Sequence, residues 1–174
     1  MKRIILWTLA GIAILIGAVL AVGAALPVEH VATVRAEYPV GPEEVFDVIS
    51  DVTAQPGWRP SVERVEELPS RGGNPAWREI GSTGPLPMEL TESDPPRRMV
   101  TAMISEGLPF GGRWIYEVEP APGGSILTIT EEGEVYSPFF RFVSRFIMGH
   151  HRTASTYLSD LGARLGGGEV EIVR

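Results

Sequence analysis

The chain has no cysteine among its 174 residues. That excludes disulfides, thiol nucleophiles and thiolate metal sites together. Lysine occurs once, at Lys2, so Schiff-base chemistry is removed from everything that follows the N-terminus. Histidine is confined to His30, His150 and His151. The last two are neighbours, and on a helix they point about 100° apart. They are poorly placed to share one metal, and no metal or covalent cofactor follows from the sequence.

Charge is missing from a whole segment. Ile4 to Leu26 carries none, with Lys2 and Arg3 before it and Arg35 the next basic residue after it. The run is long enough to cross a bilayer as one helix. The positive-inside rule then puts the N-terminus in the cytoplasm and the remaining chain on the far side. The alternative is a secretory signal cleaved near Val22-Gly23-Ala24, leaving a secreted protein. The run is longer than an ordinary signal core, which favours an anchor over residues 1–27.

Past Pro27 the balance reverses, with thirteen arginines against 22 acids, a net charge of −9. Such a balance supplies no electrostatic reason to bind nucleic acid or an anionic membrane surface.

What is present is organised by period. His30 to Tyr38 is rich in β-branched residues and predicts a first strand. Gly41-Pro42, with Glu43 and Glu44 behind it, opens a short helix whose apolar face is Val45, Phe46, Val48 and Ile49. Asp51 to Pro60 predicts a loop or broken second helix. Six strands follow, at Val62–Leu68, Ala76–Ser82, Met88–Glu92, Arg98–Ser105, Arg113–Glu119 and Ser125–Val135. Gly72-Gly73-Asn74-Pro75, Gly84-Pro85, Asp94-Pro95-Pro96, Gly111-Gly112 and Pro122-Gly123-Gly124 separate them. Trp114, Tyr116 and Val118 alternate with Arg113, Glu117 and Glu119, so one face is apolar. From the N-cap Ser137 to Leu165, apolar residues recur by threes and fours, the spacing of one long amphipathic helix. Gly166-Gly167-Gly168 then predicts a mobile tail over 166–174. The pattern implies an α+β domain over residues 28–165, with a curved antiparallel sheet of about seven strands wrapped on a long C-terminal helix.

Several stretches stand out: Tyr38-Pro39-Val40-Gly41-Pro42-Glu43-Glu44-Val45-Phe46 running into Ile49-Ser50-Asp51, and Trp58-Arg59-Pro60. Gly112-Arg113-Trp114-Ile115-Tyr116-Glu117-Val118-Glu119-Pro120, Met148-Gly149-His150-His151, and the closing Tyr157-Leu158 with Asp160-Leu161 complete the set. Together they resemble the START-like helix-grip superfamily, often called SRPBCC, and within it the polyketide cyclase/dehydrase and lipid-transport branch. These are fold-bearing patterns spread from about His30 to Leu165. The resemblance implies a cavity between sheet and long helix that takes an apolar or amphipathic small molecule. Fold alone does not choose between a carrier and a cyclase.

The candidate lining is Trp58, Trp77, Met88, Leu90, Met99, Met103, Trp114 and Tyr116, facing Phe139, Phe146 and Tyr157 on the helix. Aromatic walls give apolar contact and methionines adapt to a ligand. His150, Tyr157 and Arg78 are candidate orienting groups. A filled core explains each of these residues singly just as well. Gly107-Leu108-Pro109-Phe110-Gly111-Gly112 reads either as a lid near the cavity or as an ordinary hairpin. Gly149 in mid-helix costs about 1 kcal/mol against alanine and leaves room for a bend.

No Gly-x-Ser-x-Gly elbow, His-Glu-x-x-His pair, phosphate loop or dinucleotide fingerprint is present. The leading expectation is a membrane-tethered binder or carrier of a hydrophobic small molecule or lipid. A cyclase or hydratase acting on a polyketide-like substrate is the alternative, and it requires a titratable side chain deep in the cavity without a structural partner. A membrane-associated interaction module would instead show no cavity and an exposed apolar patch around Phe110.

Overall fold

Side chains that alternate in polarity along a strand can bury one face and wet the other, and β1 (Glu29–Tyr38) does so. Ala32, Val34, Ala36 and Tyr38 are buried while the residues between them face outward. The computed structural model describes residues 2–82 and 84–173. Its order continues with α2 (Pro42–Ser50), a 3-10 helix (Val52–Gly57), β2 (Val62–Arg71), β3 (Asn74–Gly81) and β4 (Gly84–Asp94). β5 (Arg98–Met103), β6 (Phe110–Ala121) and β7 (Gly124–Val135) follow. The eight-stranded antiparallel sheet runs β2-β3-β4-β5-β6-β7-β1-β8, where β8 is Val170–Val173. Consecutive strands from β2 to β7 are neighbours, so tight links suffice; only β1 and β8 arrive from elsewhere in the chain.

The first helix, α1 (Lys2–Ala25), is 24 residues long and uncharged beyond Lys2 and Arg3 at its start. At 1.5 Å per residue it spans about 36 Å, enough for a bilayer. It is exposed along its length except at Val19 and Gly23, four residues apart on one face.

Three expectations are corrected. The long C-terminal helix is two helices, α3 (Pro138–Val143) and α4 (Arg152–Leu165), joined by a π-helical turn over Ser144–Met148. The break falls at Gly149, with φ 76° and ψ 145°, a conformation that is essentially glycine's alone. The tail is not free: residues 170–173 pair with β1, from Thr33↔Val173 to Ala36↔Val170. This pairing adds an eighth strand to the sheet of about seven that the sequence implies. The glycines at 166–168 all take positive φ and turn the chain back, and the Gly168 amide donates to the Glu37 carbonyl at 3.0 Å. Gly84 and Pro85, read as a separator, begin β4 instead.

The core lies where α2 and α4 cover the concave face. Val45, Phe46 and Ile49 of α2 and Ala154, Tyr157, Leu158 and Leu161 of α4 meet Val34, Met99, Tyr116, Val118, Leu127 and Ile129 of the sheet. The buried Tyr38 hydroxyl donates to the Leu158 carbonyl at 2.9 Å, tying β1 to α4. Phe110 is half-buried and pairs with Val135 at the start of β6, which fits the hairpin reading of its segment.

Candidate functional site

Register decides which side chains share the concave face. Trp77 lies opposite Met88, Met88 opposite Met103, Leu90 opposite Thr101, Thr101 opposite Trp114, and Met99 opposite Tyr116. Cross-strand partners point the same way, so these Trp and Met residues share one face of the sheet. Among them Trp77, Met88, Met99, Trp114 and Tyr116 line a cavity of about 80 Å³. Glu79 and Leu86 complete its sheet wall with Thr101. Ile49 of α2, Val52 and Gln55 of the 3-10 helix, Arg59 and Thr153 of α4 close the other side.

Tyr157 and Trp58 form an aromatic wall beside this cavity. Tyr157 meets Trp58 edge-on at 5.2 Å between ring centroids, Trp114 at 5.7 Å and Tyr116 at 5.7 Å. Leu90 and Met103 share the concave face but are not in the lining. Leu90 packs against the core instead.

The cavity also holds a charge pair that sequence reasoning did not assemble. Arg59 Nη1 donates to Glu79 Oε2 at 3.0 Å, and the two side chains are only 12% and 13% exposed. The same nitrogen donates to the side-chain oxygen of the buried Gln55. Trp77 Nε1 reaches Glu79 Oε1 at 3.4 Å. The Arg59 guanidinium stands 4.9 Å over the Tyr157 ring, within cation–π range. Isolated charges are expensive in an apolar interior, and this pair persists because each partner is both countered and hydrogen-bonded.

Around it, Trp58 Nε1 is buried with no hydrogen-bond partner among the described residues, while the buried Thr101 Oγ1 and Tyr157 hydroxyl make no well-formed bond and have the Tyr116 hydroxyl as a close polar neighbour that both of them act on. Native interiors rarely leave such groups unmade. Burial, then the neighbouring Tyr116, pushes the Tyr157 hydroxyl well above the ordinary tyrosine range. Burial raises Tyr116 too, against the pull of the Arg59 cation. Both phenols are therefore neutral near pH 7 and available as donors.

Other expected site residues lie elsewhere. Phe139 and Phe146 do not face the sheet; they are 48% and 60% exposed. The break at Gly149 and the close seating of α3 on α1 turn that stretch away from the cavity. Arg78 points to the opposite face from Trp77 and Glu79 and pairs with Glu66 at 3.3 Å, so Arg59 holds the position assigned to it. His150 is outside the cavity. It stacks on His30 at 4.0 Å and lines a separate depression with Leu26, Val28, Arg141 and Arg145. Among the described residues, no cluster of three or more His, Cys, Asp or Glu suits a metal.

Residues 29–154 match the family described as polyketide cyclase / dehydrase and lipid transport, and the chain belongs to that family. A search of curated proteins finds no match. Among solved structures, norcoclaurine synthase of Thalictrum flavum, a point mutant in complex with a transition-state analogue, superposes with a TM-score of 0.62 at 15% identity. That match covers 79% of this chain and 94% of the other. A START superfamily protein from Mycobacterium smegmatis gives 0.58 at 16% identity, covering 79% and 96%. The di-domain aromatase/cyclase StfQ of the steffimycin biosynthetic pathway gives 0.60 at 11% identity over 82% of this chain, which spans 50% of that protein. At these identities the likeness is one of fold: the helix-grip architecture of the START-like superfamily.

Proposed function

We propose that the chain binds a hydrophobic small molecule or lipid between the sheet and α4, with α1 holding the domain at a membrane. The observation that carries this reading is the part-buried Arg59–Glu79 pair in an aromatic and methionine cavity, beside the buried Thr101, Tyr116 and Tyr157 hydroxyls and the unpartnered Trp58 Nε1. A ligand with an apolar body and a carbonyl or hydroxyl head satisfies both halves. Its body displaces water from Trp77, Met88, Met99 and Trp114, and its head takes up the Thr101 and Tyr157 hydroxyls and the free guanidinium nitrogens of Arg59. The cavity of about 80 Å³ is smaller than the roughly 300–1,000 Å³ of a drug-sized site. Occupancy therefore moves Met88, Met99 and Leu86, side chains with the torsional freedom to do so. Tethering rests on α1 being attached to the domain: Gly23 is buried against Pro138, and Arg141 Nη1 donates to the Leu26 carbonyl at 2.8 Å. Cleavage near residue 23 would remove half of that joint.

A second reading, catalysis of a cyclisation or dehydration, is favoured by one observation. The Tyr157 hydroxyl is a fully buried titratable group with no well-formed hydrogen bond and the Tyr116 phenol beside it, and as a neutral donor it can stabilise charge developing on a substrate oxygen. Tyr157→Phe separates the two readings. With the full chain in lipid nanodiscs, a carrier loses roughly fivefold to tenfold in affinity for an environment-sensitive apolar ketone probe, the worth of about one hydrogen bond. An enzyme keeps its affinity and loses turnover of a polyketide-like substrate. Unchanged probe binding with no turnover in either protein overturns both.

A further inference from the structure

We propose that Pro138–Met148 is a second membrane-contacting element, lying in the plane of the bilayer beside the point where α1 leaves it. The inference goes beyond ligand binding and rests on the reading of α1 as a retained span. Within eleven residues, Phe139, Phe140, Phe146, Ile147 and Met148 are 44–70% exposed. Large apolar side chains gathered on one exposed segment mark a contact surface.

Position identifies the partner. α3 packs on the last turns of α1, where a Cβ added at Gly23 would overlap the Pro138 carbonyl. The Arg141 guanidinium fixes the segment to the end of α1 through the Leu26 carbonyl, and it also reaches the Tyr136 carbonyl at 3.5 Å. Val19 and Gly23, the covered face of α1, lie within about 9 Å of its C-terminal end. If α1 spans, that depth is the boundary of acyl chains and headgroups, and the exposed phenylalanines stand there with it.

Charge fits the same partner. Between Glu134 and Asp160 there is no acid, while Arg141, Arg145 and Arg152 fall in that stretch. The net of −9 hides this local excess, which reverses the whole-domain expectation at this one surface. Arg141 is committed to carbonyls, but the exposed Arg145 and Arg152 beside a row of aromatics can reach phospholipid phosphates while the rings sit among acyl chains. Met148 is followed closely by Thr153, which lines the inner cavity, so the membrane-facing segment runs directly into the wall of the binding site.

Because the chain has no cysteine, single introduced thiols label cleanly. Nitroxides placed by Phe140→Cys, Phe146→Cys and Ile147→Cys in the full chain, reconstituted in phosphatidylcholine–phosphatidylglycerol vesicles, report depth through relaxation by oxygen against a water-soluble nickel chelate. Ile14→Cys in α1 and Glu119→Cys on β6 give the lipid and water references. The proposal expects an oxygen-to-nickel ratio at 146 and 147 several-fold above that at 119 and approaching that at 14. Ratios at 140, 146 and 147 equal to that at 119 overturn it. A water-like ratio at 14 overturns the anchor reading and this proposal with it. Probe binding in the same vesicles is read separately, so loss of the cavity reading is distinguishable from either result.

Discussion

Arg59 and Glu79 sit twenty residues apart in sequence and 3.0 Å apart in space, at a depth where neither is stable alone. The pair is polar equipment in a wall otherwise made of rings, thioethers and methyl groups, and it has structural and functional consequences that mutation can separate. Arg59→Met leaves the part-buried Glu79 carboxylate without its cation and is expected to cost about 1–3 kcal/mol. Arg59→Met with Glu79→Leu removes the stranded charge and recovers most of that stability, yet it does not restore affinity for the ketone probe. Thermal unfolding followed by tryptophan fluorescence checks the first statement. A double variant as unstable as the single one contradicts the pairing, and a double variant that binds like the wild type contradicts the role of Arg59 in orienting ligand.

The elements around α3 and α4 carry a pH dependence. His150 lies between the π-helical turn and α4, stacked on His30, whose Nε2 is 3.4 Å from Glu131. Burial, and then the His30 neighbour, lowers the His150 pKa below its ordinary 6.5, with Glu131 opposing and Arg145 and His151 adding to the effect. A histidine lowered in the folded state takes up its proton first in the unfolded chain. Its contribution to stability is therefore present above pH 6.5 and is lost as the pH falls below that value. The melting temperature is expected to decline below pH 6.5, with a shallower decline in His150→Gln; equal slopes in the two proteins contradict the assignment.

At this same scale the limits of reading sequence are physical. The strands β1 to β7 were legible because side chains alternate with period two and glycine or proline clusters interrupt them. The aromatic and methionine face followed from that alternation, since Trp77, Met88 and Trp114 stay in phase through the register. The apolar spacing of 139–165 was also real, but Gly149 interrupts it, and a helix period does not reveal which way two halves point. Phe139 and Phe146 were misplaced for that reason. β8 was hidden behind three glycines whose positive φ values serve a turn as readily as disorder. Arg59 and Glu79 belong to different elements, and no spacing rule joins a loop residue to a strand residue; the signal present was a strand acid in phase with Trp77, which alternation alone places on the apolar face.

The whole molecule joins three things: a membrane-length helix, a helix-grip domain seated on its end, and a small polar-and-apolar cavity between the sheet and the helices of that domain. Its membership in the polyketide cyclase / dehydrase and lipid transport family accords with an apolar or amphipathic ligand. On the proposed reading of α1 as a retained span, the domain sits close to a source of such molecules, with the basic, aromatic stretch at 138–152 as the face proposed to meet lipid. The central claim is that the cavity between the sheet and the helices is a binding site rather than a packing remnant. Native mass spectrometry of the full chain released from lipid nanodiscs, compared with the cavity-filling variant Leu86→Trp, tests it most directly. Lipids held by α1 are common to both proteins. The account predicts one additional apolar species per chain in the wild type and its loss in the folded variant; the same bound complement in both would contradict it.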